Sequence, residues 1–181
     1  MENIMNISNY PCVEDLWAGI GGHFDSLGQI IDEFLDNCLS NFKGNNTMTR
    51  NVIISLREIS FNGNVEITIE DSGTGIQKID EAFTLGAKGA GETPLNEHGF
   101  GLKHALASAN PENDTWEIYT RTQDDYLNGV FKKISAPYKI NGFTGVVCEN
   151  VKWTGKLNGS GTLIKFTCSR EMYLTIARGI R

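Results

Sequence analysis

The segment IIDEFLDN, residues 30–37, combines a helical spacing of apolar residues with four acidic or amide side chains. The apolar positions repeat with the helical period and predict a helix from near Ser26 to Asn41, capped by Asp25 or Ser26. Glu33 and Asn37 are four residues apart, which places them on one helix face with Cβ atoms about 6 Å apart. The pattern predicts a polar pair on an otherwise apolar helix; a solvated helix face is the ordinary alternative.

A second motif, EDSGTGI at residues 70–76, follows a predicted strand. Two strands are predicted here, VIISLREI from Val52 and VEITIED from Val65, and the alternation within the second marks one buried face. The motif places the carboxylate of Asp71 at the strand end, before Gly73, Gly75 and Ile76. Glycine tolerates positive φ and lets a flat ligand approach the backbone, although a common turn would read the same way.

A third motif, HGFGLKHA at residues 98–105, places Gly99 and Gly101 directly before a predicted helix, LKHALASAN. The free amides at a helix N-terminus form a site suited to phosphate. Lys103 would add positive charge there, and Lys88 lies in the glycine-rich loop before it. An ordinary helix start is the alternative.

The remaining segments complete a coarse picture of the fold. A short helix is predicted at Ile79–Phe83 and a terminal helix at REMYLTIARGIR; four strands are predicted at TWEIYTRT, NGVFKKIS, TGVVCENVKW and GTLIKFTC. This order predicts an α+β fold, a two-layer sandwich with helices on one face of a mostly antiparallel sheet. Residues 1–181 are expected to form a single domain, the N-terminal part of a longer protein.

Composition narrows the function classes. The 181 residues are 40% hydrophobic with a net charge of −6, and phosphate backbones need clustered basic residues, so nucleic acid is expected only through other domains. No apolar run is long enough to span a membrane, and the first residues, which lack a basic region and a long apolar stretch, are not expected to be a secretory signal. The four cysteines lack metal-site spacing and are expected to be reduced thiols, in a cytoplasmic or nuclear protein.

The motifs in this order, followed by Gly161-Thr162 on a late strand, resemble the GHKL (Bergerat-fold) ATPases. That superfamily includes gyrase B, the large heat-shock chaperone, MutL, histidine kinases and the microrchidia (MORC) proteins. The resemblance spans about His23 to Phe166. It is closest in character to microrchidia, because His23 precedes IIDEFLDN and GFGLKHA follows later.

The resemblance implies roles for the motif residues. Glu33 would be the general base for the attacking water, and Asn37 would bind the Mg²⁺ that bridges the phosphates. Asp71 would accept from the adenine amino group with help from Thr162, while Gly73 and Gly75 give the base room. The loop from Gly86 to Gly101, with Lys88, would form the lid over the triphosphate. Backbone amides from five consecutive residues would bind phosphate: Gly99, Phe100, Gly101, Leu102 and Lys103.

Three positions depart from the family pattern, which often continues Asn-Ala-x-Asp-Ala after the metal ligand. Here the run is NCLSN, so Ser40 stands at the aspartate position and Cys38 and Asn41 replace alanines. Many members also receive a catalytic lysine from an adjoining domain, which these residues do not include. ATP turnover by this domain alone is therefore expected to be slow or undetectable.

The expected function is Mg²⁺-dependent ATP binding and slow hydrolysis that drive lid closure and homodimerisation of a larger protein, in DNA-related processes or defence. One alternative is an ATP-sensing interaction module without turnover. A histidine-kinase-type catalytic domain is a further alternative, against which Glu33 argues, since that branch usually has Asn or His at the base position.

Overall fold

The computed structural model of the chain describes residues 13–42, 49–59, 63–86, 100–139, 142 and 145–179. Within these ranges the helices are α1 (Val13–Gly21), α2 (Leu27–Asn41), α3 (Ile79–Phe83), α4 (Gly101–Ala109), α5 (Gln123–Leu127) and α6 (Arg170–Gly179). The strands are β1 (Val52–Glu58), β2 (Val65–Asp71), β3 (Trp116–Arg121), β4 (Val130–Ser135), β5 (Gly145–Glu149) and β6 (Gly161–Cys168).

The strands form one antiparallel sheet with the order β1-β2-β6-β3-β4-β5. The last strand, β6, lies in the centre, between β2 and β3. Its register sets Thr162 opposite both Asp71 on β2 and Thr120 on β3. The predicted α+β architecture is confirmed, and the ends of three strands are brought side by side.

Alternation along the strands gives the sheet two different faces. The face that packs against the helices, called the front face, carries buried apolar side chains such as Ile67, Ile69 and Phe166. Phe34 of α2 packs against Phe166 with its ring tilted and the ring centroids 5.4 Å apart. The opposite, rear face carries a row of ion pairs formed by four residues: Glu66, Lys165, Glu117 and Lys133. The predicted burial of Val65, Ile67 and Ile69 is therefore confirmed.

Helix α2 begins where the sequence predicts. Ser26 is extended (φ −144°) and its Oγ accepts from the amide of Gln29 at 3.3 Å, which caps the helix. The apolar stripe of α2 is buried against the sheet, with Ile30, Phe34 and Cys38 at most 2% exposed. This burial fixes the direction in which the polar face of α2 points.

Three elements differ from the predictions. Helix α1 was not predicted, although Trp17 and Ile20 supply its buried face. Helix α5 was not predicted either; it begins at a capping box in which the Thr122 and Asp125 side chains bond each other's backbone amides. The predicted strand TGVVCENVKW ends at Glu149, and residues 150–160 cross the rear face instead.

Candidate functional site

Glu33 and Asn37 lie together on α2. Nδ2 of Asn37 donates to the backbone carbonyl of Glu33 at 2.8 Å and lies 3.5 Å from its Oε1. Both residues are half-buried, so they form a partly shielded polar pair at the edge of the core rather than a fully solvated face. Because Nδ2 is engaged, Oδ1 is the atom of Asn37 suited to bind a hard cation.

The carboxylate of Glu33 lies directly against the first residue of α4. A Cβ placed on Gly101 would overlap Oε1 of Glu33, so the carboxylate lies close against the backbone here and a larger residue would displace it. Burial raises the pKa of Glu33, the nearby charge of Asp36 raises it further, and the hydrogen bond from Asn37 opposes both. A carboxylate with a raised pKa at a helix start can accept a proton from a bound water.

Asp71, at the end of β2, is 3% exposed and its Oδ1 accepts from the amide of Gly73 at 2.7 Å. Burial raises the pKa of Asp71 to about 6, against hydrogen bonds from the Gly73 amide, the Cys38 thiol and the Thr162 amide. Cys38 is the residue after Asn37 on α2. The thiol contact therefore joins α2 to the strand carboxylate at the residue that follows Asn37.

Asp71 is the first of three side chains that form a row across the front face. Thr162 lies between Asp71 and Thr120 in the strand register, and the two threonine Oγ atoms are 3.2 Å apart. Thr120 is fully buried and its Oγ accepts from the amide of Ile76 at 2.8 Å. The row thus links the turn after Asp71 to strands β6 and β3.

Thr120 was missed in the sequence analysis. The alternation of Trp116, Ile118 and Thr120 was a usable signal, because it places a hydroxyl on a buried strand face. The contact between Cys38 and Asp71 had no comparable signal, since it depends on how α2 crosses the sheet.

Two glycines give the site its tight backbone. Gly75 has φ +73°, and a Cβ there would overlap the carbonyl oxygen of Arg121. Gly161 has φ +152°, and a Cβ there would overlap the carbonyl oxygen of Asp71. Gly75 is predicted from the sequence to give the base room. In the structure, the absence of a side chain at Gly75 lets the end of β3 approach closely. Gly73 is buried beside Asp71.

Lys103 takes a different position from the one expected. Its side chain is 2% exposed, and Nζ donates to the carbonyls of Ala82 at 2.8 Å and Thr84 at 3.1 Å. Burial lowers the pKa of Lys103 to about 8. The side chain thus joins α4 to the end of α3, and its charge does not lie at the phosphate end, where it was expected. Only the backbone amide of Lys103 keeps its predicted place, in the first turn of α4.

Aromatic rings stack over the start of α4. The ring centroids of His23 and His104 are 4.2 Å apart, and those of Phe100 and His104 are 5.4 Å apart. Burial lowers the pKa of His104, and the charges of His23 and Lys103 lower it further. His23, noted in the sequence for its place before α2, therefore contacts the helix that begins at the third motif.

The predicted site residues fall into two groups. In the first group, Gly101 contacts Glu33 and Glu33 contacts Asn37. The next residue, Cys38, bonds Asp71, which also accepts from the Thr162 amide. Leu102 follows Gly101 in the first turn of α4, and Phe100 precedes it. Lys88 and Gly99, together with most of the predicted lid, lie outside the described residues.

The residues present fit a magnesium ion. Mg²⁺ prefers oxygen ligands and usually takes one or two from protein, completing its shell with phosphate oxygens and water. Oδ1 of Asn37 and the carboxylate of Glu33 are oxygen donors on one helix face. Among the described residues there is no group of three or more His, Cys, Asp or Glu side chains that could hold a metal ion.

Ser40, which stands where the family pattern has an aspartate, is also unusual in its surroundings. Its Oγ is buried and has no hydrogen-bond partner within the described part of the chain. A buried hydroxyl without a partner costs free energy unless something else bonds it. The residue three positions after the proposed metal ligand therefore carries a polar atom that no described residue bonds.

The fold and the linked polar groups define the class of protein: an α+β domain with a polar helix face opposite a carboxylate on the sheet. Residues 22–124 match the family model described as histidine kinase-, DNA gyrase B-, and HSP90-like ATPase. The match covers more than half of the chain, so the chain belongs to this family. Membership supports ATP binding. A comparison with curated proteins gives no match.

Among solved structures, the chain is similar to the ATPase and transducer domains of DNA topoisomerase II from Balamuthia mandrillaris. The TM-score is 0.53 at 19% sequence identity, over 81% of this chain. The similar region spans 38% of the topoisomerase chain. At this identity the similarity supports the fold.

None of the helices within the described ranges has the length and apolar character that crossing a membrane requires.

Proposed function

We propose that this domain binds Mg²⁺-ATP between α2, the start of α4 and the adjoining ends of β2, β6 and β3, and hydrolyses it slowly to ADP and phosphate. The observation that carries the proposal is the run of contacts from Gly101 through Glu33 to Cys38 and Asp71. It spans from a helix N-terminus suited to phosphate to a buried carboxylate suited to an amine. Family membership supports the same ligand.

Asp71 would select the base. A buried carboxylate accepts a hydrogen bond from the exocyclic amine of adenine, whereas guanine presents a carbonyl acceptor at that position. An unpaired buried acceptor costs about 1–3 kcal/mol, which is enough to discriminate between the two bases. Thr162 and Thr120 would hold the wall beside it, since their hydroxyls bond each other and the Ile76 amide.

Glu33 would orient and deprotonate the attacking water. Its raised pKa and its place against the start of α4 support this role, because the water must lie between the carboxylate and the terminal phosphate. The Mg²⁺ bound through Asn37 would supply charge neutralisation at the phosphates. The amides of Gly99 through Lys103 would cradle the phosphate oxygens; Lys88 would lie in the covering lid. Phosphoryl transfer needs such positioning more than covalent chemistry.

Lid closure, homodimerisation, the likeness to microrchidia proteins and action on DNA are parts of the same proposal. ATP would close the lid and favour a homodimer of a longer protein, because only the terminal phosphate adds contacts in the closed state. The assignment to microrchidia-like proteins depends on His23, IIDEFLDN and GFGLKHA. Action on DNA would come through other domains, since the net charge of this chain is −6.

One observation favours a second candidate, an ATP-binding module without turnover. Ser40 replaces the aspartate that many members have near the metal ligand, and its buried hydroxyl has no partner among the described residues. In this alternative the nucleotide changes the conformation, and Glu33 has no chemical role.

Calorimetric titration with ATP, ADP and GTP, with and without Mg²⁺, tests nucleotide binding. We expect Mg²⁺-dependent binding of ATP and much weaker binding of GTP. Asp71→Asn is expected to weaken ATP binding about tenfold or more, while Glu66→Gln, a carboxylate change on the rear face of the same strand, is the matched control. Equal affinities for ATP and GTP would contradict the proposal, as would an unchanged affinity in the Asp71 variant.

A further inference from the structure

Residues 150–160, here called the rear loop, lie across the rear face of the sheet behind the proposed base site. The Cζ atom of Arg121 lies 4.0 Å from the ring centroid of Trp153 and 5.1 Å from that of Tyr126. Phe131 meets the indole edge-on at 5.5 Å. The guanidinium at the end of β3 is therefore held between aromatic rings, a favourable arrangement for a cation.

Glu70 anchors the same loop from β2. Its two carboxylate oxygens accept from the amides of Lys156 at 2.8 Å and Leu157 at 2.9 Å. A Cβ on Gly155 would overlap both Glu70 and Trp153, so the loop packs closely at this point. Arg121 adds a third bond, since its Nη2 donates to the carbonyl of Leu157 at 3.0 Å.

Each of these anchors is the chain neighbour of a residue in the proposed base site. Glu70 precedes Asp71, and Arg121 follows Thr120. Because successive side chains of a strand point to opposite faces, fixing one from the rear restrains the next on the front. The backbone of Arg121 also contacts Gly75, in the turn that follows Asp71.

We propose that Trp153 and Glu70 are positioning residues for the base site: from the rear of the sheet they fix the ends of β2 and β3, and so fix Asp71 for the adenine amine. This inference rests on the proposed function. Among the described residues, the hydrogen bonds and ring contacts of the rear loop run to Glu70, Arg121, Ser55 and Phe131 on the sheet, so we expect its effect on recognition of the base.

The stacking, rather than the indole N–H, makes the contact. Nε1 of Trp153 and Nε of Arg121 are both buried and have no hydrogen-bond partner among the residues described. Replacing the indole by a phenyl ring keeps a ring face for the guanidinium and removes a buried donor that bonds nothing here. Trp153→Phe is therefore expected to rescue what Trp153→Ala loses.

The test compares three probes by calorimetry: ATP, purine riboside triphosphate, which lacks the amino group, and magnesium tripolyphosphate, which lacks the base. In folded Trp153→Ala, verified by circular dichroism, we expect the preference for ATP over the purine riboside analogue to fall about tenfold. Tripolyphosphate affinity stays within about twofold of wild type. Trp153→Phe and the exposed loop variant Val151→Ala keep the wild-type preference.

A double variant separates positioning from general loosening. If Trp153 acts through Asp71, then Trp153→Ala adds little to the loss of preference in Asp71→Asn. An unchanged preference in folded Trp153→Ala would overturn the inference, and so would an equal loss for tripolyphosphate. Should Trp153→Ala fail to fold, Glu70→Gln decides by the same ratio. If wild type binds no ATP, the proposed function itself fails.

Discussion

The two ends of the proposed site are built differently. At the base end, Asp71 and Thr162 are 3% exposed and Thr120 is fully buried, each held by strand register and by hydrogen bonds. At the phosphate end, Glu33 and Asn37 are half-buried on a helix and bond mainly to each other. The difference indicates that the base end is preformed, whereas the phosphate end must exchange internal contacts for those of the ligand.

The largest expected effect lies at the phosphate end. Glu33→Gln keeps the shape of the side chain but removes the proton acceptor, so we expect phosphate release to slow about 10²- to 10⁴-fold. ATP affinity is expected to change little, because the base end remains intact. Single-turnover assays with excess protein measure the rate, and Asp32→Asn, an exposed neighbour on α2, is the control. Full turnover by the Gln variant would remove Glu33 from the mechanism, whereas no turnover by the wild-type protein would favour the non-hydrolysing alternative.

The next effect concerns the buried carboxylate of the base end. Burial raises the pKa of Asp71 from 3.8 to about 6, so between these values the native state holds a proton that the unfolded chain has released. The stability that the native state gains by holding this proton is therefore lost as the pH rises from about 4 to 6. Relative to Asp71→Asn, wild type is expected to lose up to about 3 kcal/mol over this range. Urea unfolding at pH 4 and pH 7 measures the difference; parallel pH profiles would contradict it.

Gly101→Ala tests how closely the phosphate end is packed. A Cβ there overlaps the end of the Glu33 side chain, which has to turn aside, so we expect a loss of at most about 2 kcal/mol in stability together with weaker ATP binding. Thermal unfolding with and without ATP measures both effects. Gly19→Ala is the matched control, because a Cβ on this α1 residue meets nothing within 4 Å. Adding Glu33→Ala is expected to restore the stability of the Gly101 variant; without this rescue the contact is not the cause.

The smallest effect sharpens the view of a preformed base end. Thr120→Val leaves the Ile76 amide without its acceptor, at a cost of about 1 kcal/mol, whereas Thr120→Ser keeps the hydroxyl. Calorimetry is expected to show weaker ATP binding only for the Val variant. Equal behaviour of the two variants would show that the hydroxyl does not hold this wall.

The sequence predicted the parts of this molecule that depend on local spacing. The helix carrying Glu33 and Asn37, the strand ending at Asp71 and the α+β layering all follow from periodicity and motif order. The pairing of β6 between β2 and β3 was beyond such rules, because register between distant segments is set by packing. The place of Thr120 beside Thr162 depends on that register, and the contact of Cys38 with Asp71 depends on how α2 crosses the sheet.

Lys103 shows the same limit from the other side. A lysine next to a glycine motif at a helix start predicts a phosphate contact, and local spacing offered no reason to place it elsewhere. The structure buries its side chain against the carbonyls of Ala82 and Thr84, because α3 ends beside the first turn of α4. That neighbourhood is a property of the tertiary fold.

The central place of β6 has a consequence for the order in which the molecule can be made. Strands β1 and β2 leave the ribosome early, and β3, β4 and β5 follow as a second group, and β6 is the one strand in the described part of the chain that pairs with both groups. Until residues 161–168 have emerged, the carboxylate at position 71 and the hydroxyl at position 120 belong to separate pieces. Nucleotide could then bind only to a chain whose synthesis has passed this strand, so ATP would stabilise finished sheets and leave shorter nascent chains unprotected.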